Sequence, residues 1–259
     1  MRFAMRDCRS AFRRVQLRRL AALGASALLP ACASPPASYP SSAPATGKRP
    51  PPPDKGFDAS DVFKSDIDVA AEVHLRESLG SSRLLMEKLY RRNPREWRRG
   101  GYASLDAAVA KAFDPRYEFR FAELGNVRSV DAIRLGLKAD YGGDRVFAFC
   151  VGLASMILLA YNGKTEFYVT DSLDPQKLYN SARNVEIAAW KLANARDASG
   201  VLLILSNESA GEVQNLSFER ELGKMIAYQD AMAQIAAQRY NRVIRRSVQT
   251  LATAVFLPI

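Results

Sequence analysis

Histidine is almost missing from this chain: His74 is the only one among 259 residues. That excludes histidine-rich zinc sites and obliges any Ser-His-Asp triad to use His74. The residue lies on or beside an apolar helical stripe, with Glu77 and Ser78 following on the same helix. Three triad-type residues on one helix do not form a triad, so His74 reads as a packed side chain. Cysteine is scarce too, and Cys8, Cys32 and Cys150 lack the paired spacing of a metal site. Neither standard glycine-rich phosphate loop is present, nor a G-x-S-x-G nucleophile turn. Sequence signatures of nucleotide chemistry and of serine esterases are therefore absent. No metal and no cofactor is expected.

What the chain has in excess is positive charge, a formal +10. Its location undercuts a nucleic-acid reading. Residues 1–31 hold seven of the basic residues and one of the acidic ones, and without them 30 basic and 26 acidic side chains remain. The excess of four is matched in one place, where Arg91, Arg92, Arg95, Arg98 and Arg99 face only Glu96. Such a cluster is the footprint an anionic lipid or lipopolysaccharide would use. A solvated helix end, where cations are favoured, is the plainer reading.

The first residues have the grammar of an export signal. Arg2, Arg6, Arg9, Arg13, Arg14, Arg18 and Arg19 stand against Asp7, ahead of an apolar run over 20–29. That run is too short to span a bilayer, which takes about 20 residues, and suits a signal-peptide core. Leu29-Pro30-Ala31-Cys32 then resembles the lipobox of bacterial lipoproteins. The resemblance implies cleavage before Cys32, a diacylglycerol on its sulfur and a further acyl chain, such as palmitate, on its new amine. It also implies sorting to the outer membrane, because Ala33 rather than aspartate follows the cysteine. Two or three acyl chains anchor stably, each buried methylene contributing about 0.8 kcal/mol. An ordinary secretory signal cut near Ala22, Ala25 or Ala31 and a retained signal anchor stay open, and the arginine pairs weakly suggest twin-arginine export. If Cys8 leaves and Cys32 is acylated, Cys150 is the one remaining thiol and no internal disulfide forms.

Residues 32–57 combine the acylated cysteine with a Pro-, Ser- and Ala-rich tether that includes four consecutive prolines, Pro50, Pro51, Pro52 and Pro53. Such a stretch favours polyproline II, about 3.1 Å per residue, and acts as a spacer; a proline-rich docking ligand is the sharper alternative. From residue 58 to 259 the pattern is that of one mainly α-helical, bundle-like domain. Ile67, Ala71, Leu75, Leu79, Met86 and Leu89 mark a first amphipathic helix with a weak point at Gly80. Asn93-Pro94 restarts the helix, with Glu96 placed to complete a capping box and Trp97 to plug the joint. Ser104 and Ser129 look like N-caps. The apolar run 146–161 is apolar on all sides, the pattern of a central core helix, and Gly152, Ala154 and Ser155 would let a neighbour approach closely. Cys150 sits inside it as a small buried hydrophobe.

Two short strands, 164–172 and 201–205, are expected and could pair, and the alternation of Tyr117, Phe119 and Phe121 suits another. Asp174-Pro175 opens a helix running to about Ser199-Gly200, and three-and-four spacing from Phe218 to Leu251 predicts a long terminal helix. The best polar constellation is Tyr168, Asp171, Asp174, Tyr179, Asn180, Arg183 and Asn184. Asp171 and Asp174 are the candidate acid and base of a glycan or peptide hydrolase, provided about 5 to 9.5 Å separates them; helix capping and loop hydrogen bonding are the plainer reading. The expectation is thus a lipid-anchored periplasmic protein of the outer membrane, non-catalytic, serving as scaffold or accessory binding module for another envelope protein. A cell-wall hydrolase and a binder of anionic lipid or lipopolysaccharide are the alternatives.

Overall fold

The computed structural model describes residues 63–207, 216–246 and 249–259. The signal stretch, Cys32 and the tether lie outside them. The described residues form seven α-helices: α1 (Asp66–Arg92), α2 (Pro94–Arg99), α3 (Leu105–Ala112), α4 (Ser129–Gly136), α5 (Arg145–Ala160), α6 (Pro175–Asn194) and α7 (Ser217–Arg239). No sheet occurs among them, so the domain is all-α. No described helix is long and apolar enough to cross a membrane.

α5 is the core. Every residue in it except Leu158 and Leu159 is buried, and Asp144 caps it by accepting the Phe147 N–H at 2.9 Å. Around it lie α1, α4 and α6, while α7 closes the bundle against α1 and α6. α1 opens on a capping box in which Ser65 and Asp68 exchange backbone bonds. It runs unbroken through Gly80, since Leu75, Leu85, Met86 and Leu89 bury their side chains on one face. That burial outweighs the roughly 1 kcal/mol a helical glycine costs. Ser104 caps α3 as expected, accepting the Ala107 N–H at 3.1 Å. Ser129 does not cap α4. It stands inside the helix at φ 58°, and its N–H goes to Ser155 Oγ on α5 at 2.8 Å. Tertiary contact with α5 has replaced local capping there.

Neither expected strand forms. Residues 164–172 are irregular, pinned where Glu72 accepts the Phe167 N–H at 3.0 Å and Phe167 is buried. The other stretch contributes a single antiparallel bridge, Arg196 to Leu202, and the loop making it ends α6 at Asn194, before Ser199-Gly200. Around Tyr117 a 3-10 turn (Pro115–Tyr117) leads to Glu118 and Phe119 at φ 49° and 56°, so the alternating aromatics belong to a turn. Phe121 meets Phe147 edge-on at 4.9 Å.

α7 also stops early, at Arg239, with Asn241 in the left-handed region at φ 50°. The chain then returns along α6, where three side-chain amides four residues apart take its backbone. Gln176 exchanges two hydrogen bonds with Arg245, at 2.8 and 3.1 Å. Asn180 donates to the Pro258 carbonyl at 2.8 Å, and Asn184 exchanges two bonds with Leu257, at 2.6 and 2.8 Å. Asn184 is fully buried. Replacing it by alanine strips Leu257 of both partners and is expected to cost about 2 kcal/mol. Chemical denaturation measures that loss, and hydrogen exchange should locate it at 254–258.

Candidate functional site

The arginine run of the sequence is divided by structure. Arg91 and Arg92 end α1, and Arg95, Arg98 and Arg99 lie on α2. All five are exposed. Arg92, Arg95 and Arg99 converge, with Arg145 of α5, on a cleft of about 720 Å³ whose far wall is the loop bearing Asp197 and Leu202. Arg91 does not line it, and Arg98 instead covers the Trp97 ring at 4.7 Å. Trp97 is partly buried against the core, as a plug between helices would be.

Asn93 fixes the width of the cleft. It makes no side-chain cap on α2. Its amide exchanges two bonds with the backbone of Leu205, both at 2.8 Å, while also donating to the Leu89 carbonyl. Glu96 likewise does not complete a capping box. Buried, it accepts the Arg145 N–H at 2.7 Å and pairs with Arg99 at 2.9 Å. A carboxylate from α2 thus satisfies an otherwise orphaned donor at the buried start of α5.

The rest of the site follows from that buried helix start. Asp144 is 6% exposed, and burial pushes its carboxyl up to about 6, with Glu96 adding repulsion while the Phe147 N–H and the Tyr90 hydroxyl act against the shift. Tyr90 donates to Asp144 at 2.8 Å, and burial raises the phenol far above its ordinary value. The Arg145 guanidinium closes the end of α4, donating to the carbonyls of Gly136, Lys138 and Ala139. Asp197 is held by Ser199 and Val201 of its own turn, which lower its carboxyl below the usual range. The acids lining the cleft are therefore satisfied from within the protein. Arg95 has no partner among the described residues.

The other candidate residues are dispersed. Asp171 pairs with Lys164 and accepts the Tyr168 N–H at 3.2 Å, and the Lys164 contact holds its carboxyl below the ordinary value. Asp174 caps α6 through the Gln176 N–H at 2.9 Å. Asn180 and Asn184 bind the returning chain, and Arg183 bridges to Asp230 of α7 and to Glu186. Each member of the constellation is thus engaged in local or tertiary structure. Cys150 is wholly buried, which drives its thiol well above the usual range, and His74 packs beside the Tyr228 ring at 5.7 Å. Burial lowers the His74 imidazole. No group of three or more potential metal ligands occurs among the described residues. Cys32 lies outside them.

Sequence reasoning did not find the pairing of Glu96 with the α5 start. The available signal was an aspartate directly before the most apolar helix, which marks a cap that will be buried. No protein family, curated protein or solved structure matches the chain.

Proposed function

We propose that this chain is a lipid-anchored protein of the cell envelope, held to the outer membrane at Cys32, whose helical domain is a non-catalytic binding module for anionic headgroups. The observation that carries the reading is the cleft of Arg92, Arg95 and Arg99. Four guanidinium groups line it against two carboxylates, Glu96 and Asp197, and both acids are already engaged. The lining is net positive, and Arg95, exposed and without a partner among the described residues, suits the phosphates of lipid or lipopolysaccharide. A domain kept near a membrane by its anchor meets such groups at high effective concentration. The hydrolase alternative gains nothing from Asp171 and Asp174, whose carboxylates hold Lys164 and cap α6.

Vesicle flotation of the full chain tests this, using Cys32→Ser so that acyl chains do not contribute. Vesicles of phosphatidylglycerol and phosphatidylcholine should bind, and pure phosphatidylcholine should not. A basic residue near an anionic surface contributes about 1 kcal/mol, so reversing charge with Arg95→Glu should weaken binding at least tenfold, roughly. High salt should do the same. Equal binding to both vesicle types, or indifference to salt and to Arg95→Glu, rules the cleft out. Intact mass of the wild-type protein, without acyl groups on Cys32, would rule out the anchor separately.

A further inference from the structure

A second hollow lies around the ends of α4 and α6. It encloses about 430 Å³, a volume typical of small-molecule sites. Its walls come from three sources: Arg134 and Lys138 at the end of α4, Trp190 and Lys191 in the last turns of α6, and the returning segment at Phe256. Three cations line it and no described carboxylate does. Arg134 pairs with Asp131 at 3.0 Å, on the outside of the helix, whereas Lys138 and Lys191 form no ion pair with a described residue. Cations near helix C-termini are favoured by the dipole alone. That preference does not account for the two aromatic side chains, Trp190 and Phe256, that line the same space.

The aromatic wall is built, because the segment that bears it is fastened. Phe256 is 9% exposed and Ala254 5%. The Phe256 ring has the Arg134 guanidinium 5.5 Å and the Lys191 ammonium 5.9 Å from its centroid. Immediately after it, Leu257 is locked to the buried Asn184 by two hydrogen bonds, and Pro258 to Asn180. Val255 is tied to the Gln249 side chain at 2.8 Å. An open-sided space with apolar and aromatic walls and lysines at its rim separates an apolar body from a charged head.

We propose that this hollow binds a small amphipathic anion: an apolar or aromatic body, which Trp190 and Phe256 flank, carrying one carboxylate, phosphate or sulfonate, which Lys138 and Lys191 take. The site is separate from the arginine cleft and does not depend on the reading given to that cleft. A ligand seated here touches the returning segment directly. It therefore stabilises the fold-back of that segment onto α6 as well as filling the space.

Two dyes with the same ring system test the assignment, anilinonaphthalene sulfonate and the uncharged phenylnaphthylamine, each titrated into the full chain by fluorescence. The sulfonate should bind one saturable site about tenfold more tightly than the neutral dye, the scale of a charge-assisted contact. The double variant Lys138→Gln, Lys191→Gln should bring it down to the neutral dye's affinity. Lys138 is exposed and Lys191 half-buried, and an unchanged melting curve verifies the fold. In the unaltered protein, hydrogen exchange should slow at 254–257 when the sulfonate is added. Equal affinity for the two dyes overturns the proposal, as does sulfonate affinity untouched by the lysine changes. Protection confined to 197–205 would place the ligand in the arginine cleft instead and overturn it too.

Discussion

Replacing Gly152 by alanine is expected to destabilise the domain by about 2 to 3 kcal/mol, even though alanine improves helix propensity by up to about 1 kcal/mol. The added Cβ would lie 2.6 Å from the Ile133 backbone nitrogen and 2.8 Å from both the Ser129 carbonyl and Ile133 Cγ1. Two of those three atoms belong to the main chain of α4 and cannot rotate aside. The helix as a whole has to retreat from α5. Retreat stretches the bond from the Ser129 N–H to Ser155 Oγ, 2.8 Å long, and opens the most extensive helix contact among the described residues. Gly223 on α7 gives the control, because a Cβ there meets nothing within 4 Å. Gly223→Ala should stabilise by up to about 1 kcal/mol through propensity and a stiffer unfolded chain. Urea denaturation of both variants decides the matter. A Gly152→Ala protein as stable as its parent would mean that α4 is not held at this distance.

That seam was readable in advance, and the reason is local. A run apolar on every side leaves its owner nowhere to go but the centre, and small residues within it mark where a neighbour comes close; 146–161 carries both signals, and α5 occupies 145–160. The Asp174-Pro175 start of α6 and the Ser104 cap are local in the same sense. The end of α7 is not. Val243, Ile244 and Leu251 keep helical spacing, yet the groups that decide their fate are Gln176, Asn180 and Asn184, far back in the chain. Amides that imitate a strand edge can draw a segment out of a helix, and no window around residue 245 contains them. Strand-like 164–172 fails for a similar reason, since Glu72 and a buried Phe167 fix it one residue at a time.

The candidate site was legible as charge and illegible as geometry. Five arginines in nine positions announce a cationic patch, but the break at Asn93 determines which of them share a cleft. By local grammar alone, Asn93-Pro94 is a good helix start, with the Asn93 side chain free to cap. Its amide instead holds Leu205, a partner more than a hundred positions away. Glu96 departs from local expectation in the same direction, crossing to α5. Polar residues with short side chains are ambiguous in this way: the same amide or carboxylate serves its own helix or a distant backbone, and burial selects between them.

Burial also makes stability depend on pH through Asp144. An unfolded aspartate titrates near pH 3.9, roughly, whereas burial, reinforced by Glu96 and opposed by the Phe147 N–H and Tyr90, lifts the folded value to about 6. The fold thus prefers the protonated acid. Its contribution is complete below about pH 4 and is lost as pH rises through about 6, a change of about 3 kcal/mol for a two-unit gap. Asp144→Asn mimics the neutral acid: its oxygen can still accept the Phe147 N–H, and its amide can face the Tyr90 oxygen. Parent and variant should be similar in stability at pH 4, and the variant should gain about 2 to 3 kcal/mol over the parent by pH 7. Other carboxylates run the opposite way. Glu221, despite burial, is held low by Lys88 and Lys224, and Asp171 by Lys164, so both withdraw stability as pH falls. They are common to the two proteins and cancel in the difference, which leaves Asp144, with the Glu96 charge coupled to it, as the source of its slope. Paired urea titrations between pH 4 and pH 8 measure that difference. A flat line would mean that the Asp144 carboxylate is as well solvated at the start of α5 as in water, and a line of opposite slope that the Tyr90 and Phe147 bonds outweigh its burial.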